Sequence, residues 1–396
     1  MRKALAVLLV MMMVMACTTT CSVLAEDLPV IKIGVFEPSS GDNGAGGKQE
    51  VLGIEYANVV KPTVQVAGQE YKVELVIVDN QSATDKAVSA AQSLVSSGVS
   101  VVLGSYGSGC SMAGGDVFAE ACVPAIGVSC TNPNVTLLCD YYWRICFIEP
   151  FQGSVMANFA DSLGKKTAYV LTMLGEDYGN GLGYYFSTAF EKLGGKIISE
   201  TFTEGTSDFT AYLTNAVNAG ADVIFAPSAT PYASEIIKQA ATMQVDFPVL
   251  AGDTWESSVT LDAAAGRAIE VYVSTFFDEN GDSAAANEFV SGFKAWLNEN
   301  GDKLNNNGGN DIVAAVSALG FDAYNVALAA LEAAASPDPQ AVADVLPQVV
   351  YESAVTGSIA FDENGDALKD TAFIKYANPQ TGAFDFVKTQ TVADLE

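Results

Sequence analysis

The chain has 396 residues and a formal net charge of −28, from 19 Lys and Arg against 47 Asp and Glu, and it contains no histidine. This acidic balance argues against a nucleic-acid-binding protein, which needs a basic surface, and against electrostatic docking on an anionic membrane. The absence of histidine removes the most frequent general base, the Ser–His and Cys–His nucleophile pairs and any histidine-ligated metal site. Hydrophobic residues make up 49% of the sequence, which excludes a disordered chain.

The N-terminus has the pattern of an export signal. Two basic residues precede an apolar run at residues 4–16, and this order is typical of a secretory signal peptide. Two processing sites compete: cleavage after Ala25, which follows the small-residue rule, and a weaker bacterial lipobox that would place a lipid anchor on Cys17. We expect residues 1–25 to be a signal peptide and the protein to be exported, either periplasmic or at the cell surface.

Five cysteines follow the expected signal peptide, at Cys110, Cys122, Cys130, Cys139 and Cys146. Because five is an odd number, at least one thiol is unpaired in a monomer. An extracytoplasmic location permits disulfides, but the sequence contains no C-x-x-C motif. We therefore expect buried thiols with at most one or two disulfides, and no metal site.

Apolar strand patterns alternate with helical patterns along most of the chain. The first block has predicted strands at 31–36, 73–78, 99–103 and 124–128 and predicted helices at 49–60, 84–97 and 110–121. The pattern restarts after Pro150, with predicted helices at 151–163, 181–193, 209–219 and 233–243 and strands at 167–172, 196–202, 222–226 and 247–251. Continuous β-branched runs between helices predict parallel strands that are covered on both faces.

A third stretch follows, with a strand at 271–275, long helical patterns near 284–298 and 311–335, and strand character in the tail between 354 and 387. The chain is predicted to cross between two lobes near 146–148, 274–276 and 355–357. Three crossings between two compact lobes form a hinge with a cleft, and ligands of parallel sheets bind beyond the carboxyl ends of the strands.

These crossings predict the domain organisation. We expect an N-terminal lobe of residues 26–146 plus 276–355, and a C-terminal lobe of residues 147–275 plus 356–396. Each lobe has enough β/α units to form a sheet of its own.

Several strand ends carry candidate ligand groups. The loop at 41–49 is predicted to be a flexible connection and not a P-loop. A P-loop would need Gly at position 42 and Ser or Thr at position 49, and this chain has Asp42 and Gln49 there. The glycine-rich segment 104–111 enters a helix, whose free N–H groups favour an anion, although an ordinary helix cap has the same pattern. The segment 128–133 offers carbonyls and hydroxyls to an ammonium group, or is an Asn-Pro turn.

Two strand ends of the second block add further candidates. Asp253 could hold a cation or be a solvated turn residue, and Tyr178 could cover a ligand or lie beside a helix cap. The repeated Asp-Glu-Asn-Gly-Asp segments at 278–282 and 362–366 lack the twelfth-position Glu of a calcium loop and are predicted to be tight turns.

From residue 31 to residue 387 the chain resembles the type I periplasmic solute-binding proteins of the branched-chain amino acid transporter family. Ordered segments carry this resemblance: Ile31–Gly34 with Pro38 and Gly41, Asp79, Gly104–Ser105, Ser129–Pro133, Arg144, Asp177–Gly181, Asp208–Phe209, Gly320–Tyr324, and Gly357 leading into Phe361–Asp362. The resemblance implies an α/β fold with two doubly wound parallel-sheet lobes, joined by three hinge strands, and a ligand cleft between the lobes.

The resemblance also implies roles for individual residues. The loop at Ser108 would bind the ligand carboxylate, and Ser129 and Thr131 would hold the α-ammonium and carboxylate from the first lobe. Tyr178 would close over the ligand and Asp253 would meet the ammonium. Phe321, with its neighbour Asp322, matches a cleft-facing pair. Two departures leave the side-chain preference open: the first-loop aromatic is missing at 44–47, and Ala229 replaces a polar or aromatic residue near Tyr232.

The function that this resemblance implies is capture of an amino acid, branched-chain or a similar small zwitterion, by hinge closure. The closed protein would deliver its ligand to the membrane permease and ATPase subunits of an ABC importer, as a monomer without a cofactor. Two alternatives stay open: a ligand-sensing binding protein for a receptor, and an importer component for an amide or another solute. An enzyme is not expected, because the chain has no histidine and no G-x-S-x-G motif.

Overall fold

The structure, a computed structural model, describes residues 28–395. The expected signal peptide at 1–25 and the lipid-anchor alternative at Cys17 lie outside the described residues. The strands are β1 (Val30–Glu37), β2 (Thr63–Val66), β3 (Gln69–Asp79), β4 (Val101–Gly104), β5 (Ala125–Gly127), β6 (Tyr142–Arg144), β7 (Thr167–Met173), β8 (Lys196–Phe202), β9 (Val223–Phe225), β10 (Val249–Ala251), β11 (Val271–Thr275), β12 (Val350–Tyr351), β13 (Ile359–Ala360), β14 (Thr371–Asn378) and β15 (Ala383–Thr391).

Helices connect most of these strands. They are α1 (Gly44–Val60), α2 (Thr84–Ser96), α3 (Ser108–Glu120), α4 (Asn134–Leu137), α5 (Glu149–Ser162), α6 (Asp177–Lys192), α7 (Thr210–Asn218), α8 (Thr230–Thr242), α9 (Ser258–Ala264), α10 (Ala284–Glu299), α11 (Gly301–Asn306), α12 (Ala315–Ala334) and α13 (Pro339–Val345). Short 3-10 turns occur at Asp253–Trp255, Leu346–Gln348 and Val392–Leu395. No helix within residues 28–395 is long and apolar enough to cross a membrane.

Two sheets dominate the fold. The first sheet has the order β2-β3-β1-β4-β5-β6 and the second has the order β15-β14-β11-β10-β9-β7-β8. Every pairing among β3, β1, β4, β5 and β6, and among β11, β10, β9, β7 and β8, is parallel. The predicted mixed α/β fold with two parallel-dominated sheets is therefore confirmed. Central strands such as β4 are buried along their whole length, because helices cover both faces.

Antiparallel strands extend one edge of each sheet. The hairpin of β2 and β3 turns through Ala67 and Gly68, both with positive φ, and β14 and β15 pair antiparallel beside β11. The β2 strand was not predicted, because Thr63–Val66 is only four residues long and Ala67 is not a typical residue for a left-handed turn position.

Helix α1 begins at Gly44, five residues before the predicted start at Gln49, so the prediction of a flexible loop from 44 onwards was wrong. Glycine has a low helix propensity, but close packing compensates for it here. A Cβ atom on Gly47 would lie 2.1 Å from Pro38 O, and one on Gly46 would lie 2.3 Å from the Tyr106 ring. The glycines allow the first turn of the helix to approach these neighbours.

The three predicted crossing segments meet in space. The rings of Phe147 and Phe276, from the first two segments, have centroids 4.3 Å apart. A cavity of about 510 Å³ is lined by residues of all three segments, including Cys146, Phe276 and Thr356. Helix α12, from the third stretch, packs on α1, and Gly53 faces the carbonyl of Ser317 at this contact.

Candidate ligand-binding cleft

The loop that follows β5 carries Ser129 and Thr131, and a buried arginine fixes its path. Arg144 Nη1 donates to the carbonyl oxygens of Cys130 at 2.8 Å and Asn132 at 2.6 Å. The same guanidinium pairs with the Asp366 carboxylate, and Arg144 is fully buried. Because these loop carbonyls are bound to Arg144, the backbone that carries Ser129 and Thr131 is held in one path.

The hydroxyls of Ser129 and Thr131 are themselves without partners. Both side chains are buried, and no described residue forms a hydrogen bond with Ser129 Oγ or Thr131 Oγ1. A buried hydroxyl without a hydrogen bond costs about 1–3 kcal/mol. Unsatisfied groups of this kind are typical of sites that bind a polar ligand.

Ser108 is the first residue of α3, beside the same loop. Its Oγ accepts a hydrogen bond from the Asn132 backbone N–H at 3.3 Å, and the residue is buried. The first N–H groups of an α-helix have no partner within the helix, and the positive end of the helix dipole lies there. The start of α3 is therefore suited to bind a carboxylate.

Asp253 lies at the end of β10 in the second sheet. Gln152 Nε2 and the Tyr178 hydroxyl donate to Asp253 Oδ1 at 2.7 and 3.1 Å. The next two residues anchor this turn, since Thr254 Oγ1 and Trp255 Nε1 both donate to the Ser228 carbonyl, at 2.8 and 2.9 Å. Asp253 and Tyr178 are thus held together in a buried, hydrogen-bonded cluster.

Burial determines the protonation of Asp253. Removal from water raises the pKa of its carboxyl to about 6. The hydrogen bonds from Gln152 and Tyr178 lower this pKa, but their effect is smaller than that of burial. Burial also raises the pKa of the Tyr178 hydroxyl, so this group remains a proton donor. A cation that bound Asp253 would lower its pKa again, because an opposite charge favours the ionised carboxylate.

The carboxyl ends of the two sheets face each other. Asn132 Nδ2, from the loop after β5, donates to the Asp177 carbonyl at the start of α6 at 3.1 Å and to Glu149 Oε2 at 3.2 Å. A Cβ atom on Gly109 in α3 would lie 2.9 Å from Asp177 Oδ2. The structure therefore places Ser108, Ser129 and Thr131 at the carboxyl end of the first sheet, on one side of the candidate cleft, and Tyr178 and Asp253 at the carboxyl end of the second sheet, on the other side.

Phe321 is not brought to these residues. Its ring packs against Tyr56 and Phe289, with centroid distances of 5.9 and 4.9 Å, in an aromatic cluster among α1, α10 and α12. Its neighbour Asp322 is fully buried and accepts hydrogen bonds from the backbone N–H groups of Val355 and Thr356 in the third crossing segment, both at 2.9 Å. The predicted cleft-facing pair thus belongs to a helix interface and to the hinge.

The structure adds three cleft residues that the sequence did not single out: Glu37, Glu50 and Tyr106. Glu37 ends β1, and its Oε2 accepts from the Tyr106 backbone N–H at 2.7 Å. Burial raises the pKa of Glu50 to about 8, and this carboxyl faces Glu37, Ser129 and Asp253. Asp253 was selected because it follows the carboxyl end of a strand, and the same criterion would have selected Glu37. Glu50 lies inside a helix, so this criterion could not have found it.

Within residues 28–395 no group of three or more Cys, Asp or Glu residues is arranged to hold a metal ion. The five cysteines in this range are free thiols, four of them buried and Cys122 exposed. Burial raises the pKa of Cys110 to about 12 and that of Cys130 to about 11. Thiols with such pKa values are poor nucleophiles at neutral pH.

Comparisons with known proteins agree with this architecture. The family model described as "Periplasmic binding protein" matches residues 30–381. The Leu/Ile/Val-binding protein homolog 1 of Brucella abortus (strain 2308) is 25% identical over 364 residues, which cover 90% of this chain and 93% of that protein.

Solved structures give the same result. A leucine-binding protein of Thermotoga maritima has 31% identity and a TM-score of 0.81, and the match covers 92% of this chain and 99% of that one. A branched-chain amino acid transporter substrate-binding protein of Streptococcus pneumoniae, in complex with isoleucine, has 26% identity and a TM-score of 0.78, with the same coverage. The family is one of extracytoplasmic substrate-binding proteins, and the chain belongs to it, as a type I periplasmic binding protein of the branched-chain amino acid-binding family.

Proposed function

We propose that this protein captures a small α-amino acid outside the cytoplasm and delivers it to the permease of an ABC importer. The observation that carries the proposal is the opposition of two poles across the cleft. The start of α3 at Ser108 offers an anion site on the first sheet, and Asp253 offers a carboxylate on the second. A zwitterion is costly to bury unless both of its charges are met, and these two poles would meet them.

Every predicted site residue except Phe321 has a role in this arrangement. The ligand carboxylate would accept from Ser108 and from the first N–H groups of α3. The ammonium would donate to Asp253 and to the unpartnered hydroxyls of Ser129 and Thr131. Tyr178 would hold Asp253 through its hydroxyl and cover the ligand. These contacts are charge-assisted, and hydrogen bonds of this kind are worth about 1.5–3 kcal/mol each.

Closure would follow from this geometry. The poles lie on different lobes, for which we propose residues 26–146 plus 276–355 and residues 147–275 plus 356–396. A ligand that touches both lobes stabilises the closed form, and only this differential affinity can drive the closure. We propose that the closed monomer is the form that the permease, with its ATPase subunits, recognises.

The relatives support an amino acid ligand. The Brucella relative is named for leucine, isoleucine and valine, and the Streptococcus structure contains isoleucine. Both match this chain over about nine-tenths of its length. The proposal for this chain is therefore an α-amino acid; a cofactor and a catalytic step are not part of it.

The test is a thermal-shift screen of the refolded, ligand-free protein against the twenty amino acids, followed by titration calorimetry. A ligand at 100 times its Kd should add about 2.7 kcal/mol to the free energy of unfolding. Two analogues of the ligand should bind far more weakly than the amino acid itself: the amine, which lacks the α-carboxylate, and the carboxylic acid, which lacks the α-ammonium. Equal binding of these analogues, or no shift with any amino acid, would refute the two-pole proposal.

A further inference from the structure

The candidate cleft contains a tyrosine, Tyr106, in close contact with a glycine, Gly46. A Cβ atom on Gly46 would lie 2.3 Å from Cε2 and Cζ of the Tyr106 ring and 2.7 Å from its hydroxyl oxygen. The ring of Tyr106 thus occupies the space into which any other side chain at position 46 would project. Tyr106 is buried, and the carboxyls of Asp253, Glu50 and Glu37 lie near enough to its hydroxyl to act on it electrostatically. The polar end of this aromatic group therefore lies among buried acids.

Two carboxyl groups lie beside this tyrosine. Glu37 is 1% exposed and Glu50 is 0% exposed. Glu37 Oε1 and both oxygens of Glu50 form no hydrogen bond of normal geometry with a described residue. The two carboxyls face each other closely enough to share a proton, and Glu50 also faces the Ser129 hydroxyl, which the proposed function assigns to the ligand. Buried carboxyl oxygens in this number have acceptor capacity left for donors from a bound molecule.

The buried cations of the described chain are engaged elsewhere. Arg144 is paired with Asp366, and Lys375 is paired with Glu256. The charged groups that act on Glu50 are other acids, Glu37 and Asp253, and the Ser129 hydroxyl is a neutral donor beside it. A nitrogen donor at Glu50 would therefore have to come from the ligand.

We propose that the ligand is an amino acid whose side chain ends in a nitrogen donor, an amide or an ammonium group, which binds Glu50 next to the Tyr106 hydroxyl. This inference rests on the proposed function and names its substrate class. A branched aliphatic side chain would supply no donor to the desolvated Glu50 oxygens, which costs binding free energy. Glutamine, asparagine, lysine and ornithine each supply donors to these groups.

The experiment is titration calorimetry of the refolded chain with these four amino acids and with leucine, isoleucine and valine. We expect at least one donor-bearing ligand to bind about tenfold or more tightly than any aliphatic one. Glu50→Gln should abolish this preference, because it should weaken the donor-bearing ligand about tenfold more than it weakens leucine, isoleucine or valine. The matched control is Glu191→Gln, which removes the same charge from an exposed position on α6 and should leave the preference intact.

Tyr106→Phe, which removes only the hydroxyl, provides a second test if Glu50→Gln does not fold, and it should weaken donor-bearing ligands several-fold. Tighter binding of leucine, isoleucine or valine would overturn the inference and leave the proposed function standing. An equal loss for all ligands in Glu50→Gln would also overturn it, because Glu50 would then serve the α-ammonium. Absence of binding by any amino acid would instead refute the proposed function, and this inference with it.

Discussion

The Tyr232 hydroxyl donates a hydrogen bond to Asp42 Oδ2 at 2.8 Å, across the mouth of the cleft. Tyr232 lies on α8 beside the second sheet, and Asp42 lies in the loop between β1 and α1 of the first. The Gly205 backbone N–H donates to the same hydroxyl at 3.2 Å, which fixes its orientation. This bond exists only when the two sides of the cleft are in contact, so it stabilises the closed form specifically.

Tyr232→Phe should therefore weaken ligand binding without changing ligand contacts. One neutral-to-charged hydrogen bond contributes about 1–2 kcal/mol, so we expect Kd to rise about 5- to 30-fold. Calorimetry measures the affinity, and small-angle scattering measures the closed fraction. Tyr184→Phe, at an exposed position, is the matched control. An unchanged Kd in Tyr232→Phe would show that the bond does not favour closure.

Asp253→Asn tests the ammonium pole. The amide oxygen can still accept from Gln152 and Tyr178, while the negative charge is lost. We expect ligand affinity to fall about 10- to 100-fold, and the ligand-free protein to keep or gain stability, because a buried charge has been removed. Calorimetry and thermal unfolding measure the two effects. Asp302→Asn, on an exposed helix surface, is the control; wild-type affinity in Asp253→Asn would contradict this assignment.

Thr131→Val and Thr136→Val form a pair with opposite expectations. Thr131 Oγ1 has no partner, whereas Thr136 Oγ1 donates to Asp366 and accepts from Arg144, both at 2.9 Å. Thr131→Val should keep or raise the free energy of unfolding, because it removes an unpartnered buried hydroxyl, and it should weaken ligand binding about 2- to 10-fold. Thr136→Val should cost about 1–3 kcal/mol of stability. Urea denaturation and calorimetry measure both, and a loss of stability in Thr131→Val would reveal a structural partner for its hydroxyl.

Arg144→Met should destabilise the fold strongly. The substitution leaves the Asp366 carboxylate buried without its partner and releases the loop carbonyls, and breaking a buried pair in this way costs about 3–5 kcal/mol. Adding Asp366→Leu should recover part of this loss, because the uncompensated charge is removed. Urea denaturation gives both values. Equal stability of the single and double variants would show that the unpaired Asp366 carboxylate is not the cause of the destabilisation.

The ligand-free protein should lose stability as the pH rises from about 5 to about 8. Burial raises the pKa of Glu50 to about 8 in the folded state, so the folded protein binds a proton that the unfolded chain releases at lower pH. The expected slope is up to about 1.4 kcal/mol per pH unit. Glu37, Asp253, Tyr106 and Cys130 are the titratable groups that face this carboxyl.

Thermal unfolding between pH 5 and pH 8 measures this effect. Glu50→Gln should make the pH profile less steep, whereas Glu191→Gln should retain the wild-type slope, since Glu191 is exposed. Identical slopes in the two variants would assign the pH dependence to other buried acids with raised pKa values, such as Glu149 and Glu176, and to the general repulsion of a chain with a net charge of −28.

The alternation of strands and helices could be predicted because it is encoded locally. The predicted strands at 167–172 and 196–202 agree with β7 and β8 within one residue. The predicted helix starts were less accurate. Helix α1 begins at Gly44, five residues before its predicted start, and α6 begins at Asp177, four residues before its predicted start. Glycine in both segments hides the helical pattern, and only packing against neighbours makes these glycines suitable for a helix.

Candidate site residues at strand ends could be proposed from the sequence, because parallel strands bring their carboxyl ends to one edge. That rule places Ser129 and Asp253, but it says nothing about residues inside helices. Glu50 enters the cleft from α1, and Phe321 leaves it for the contact with Phe289. Which face of a helix meets the cleft depends on how the helix packs, and this is not a local property.

The amino-acid sequence alone is sufficient for the two β/α blocks and the strand ends that carry ligand groups, since hydrophobic periodicity is a short-range signal. Two contacts depend on the folded arrangement. One is the pairing of Arg144 with Asp366, which is 222 positions away along the chain, and the other is the hydrogen bond between Tyr232 and Asp42. The group of unpartnered carboxyl and hydroxyl oxygens in the cleft depends on the folded arrangement as well. Such contacts join residues distant in the chain, and their geometry exists only after the sheets and helices have packed together.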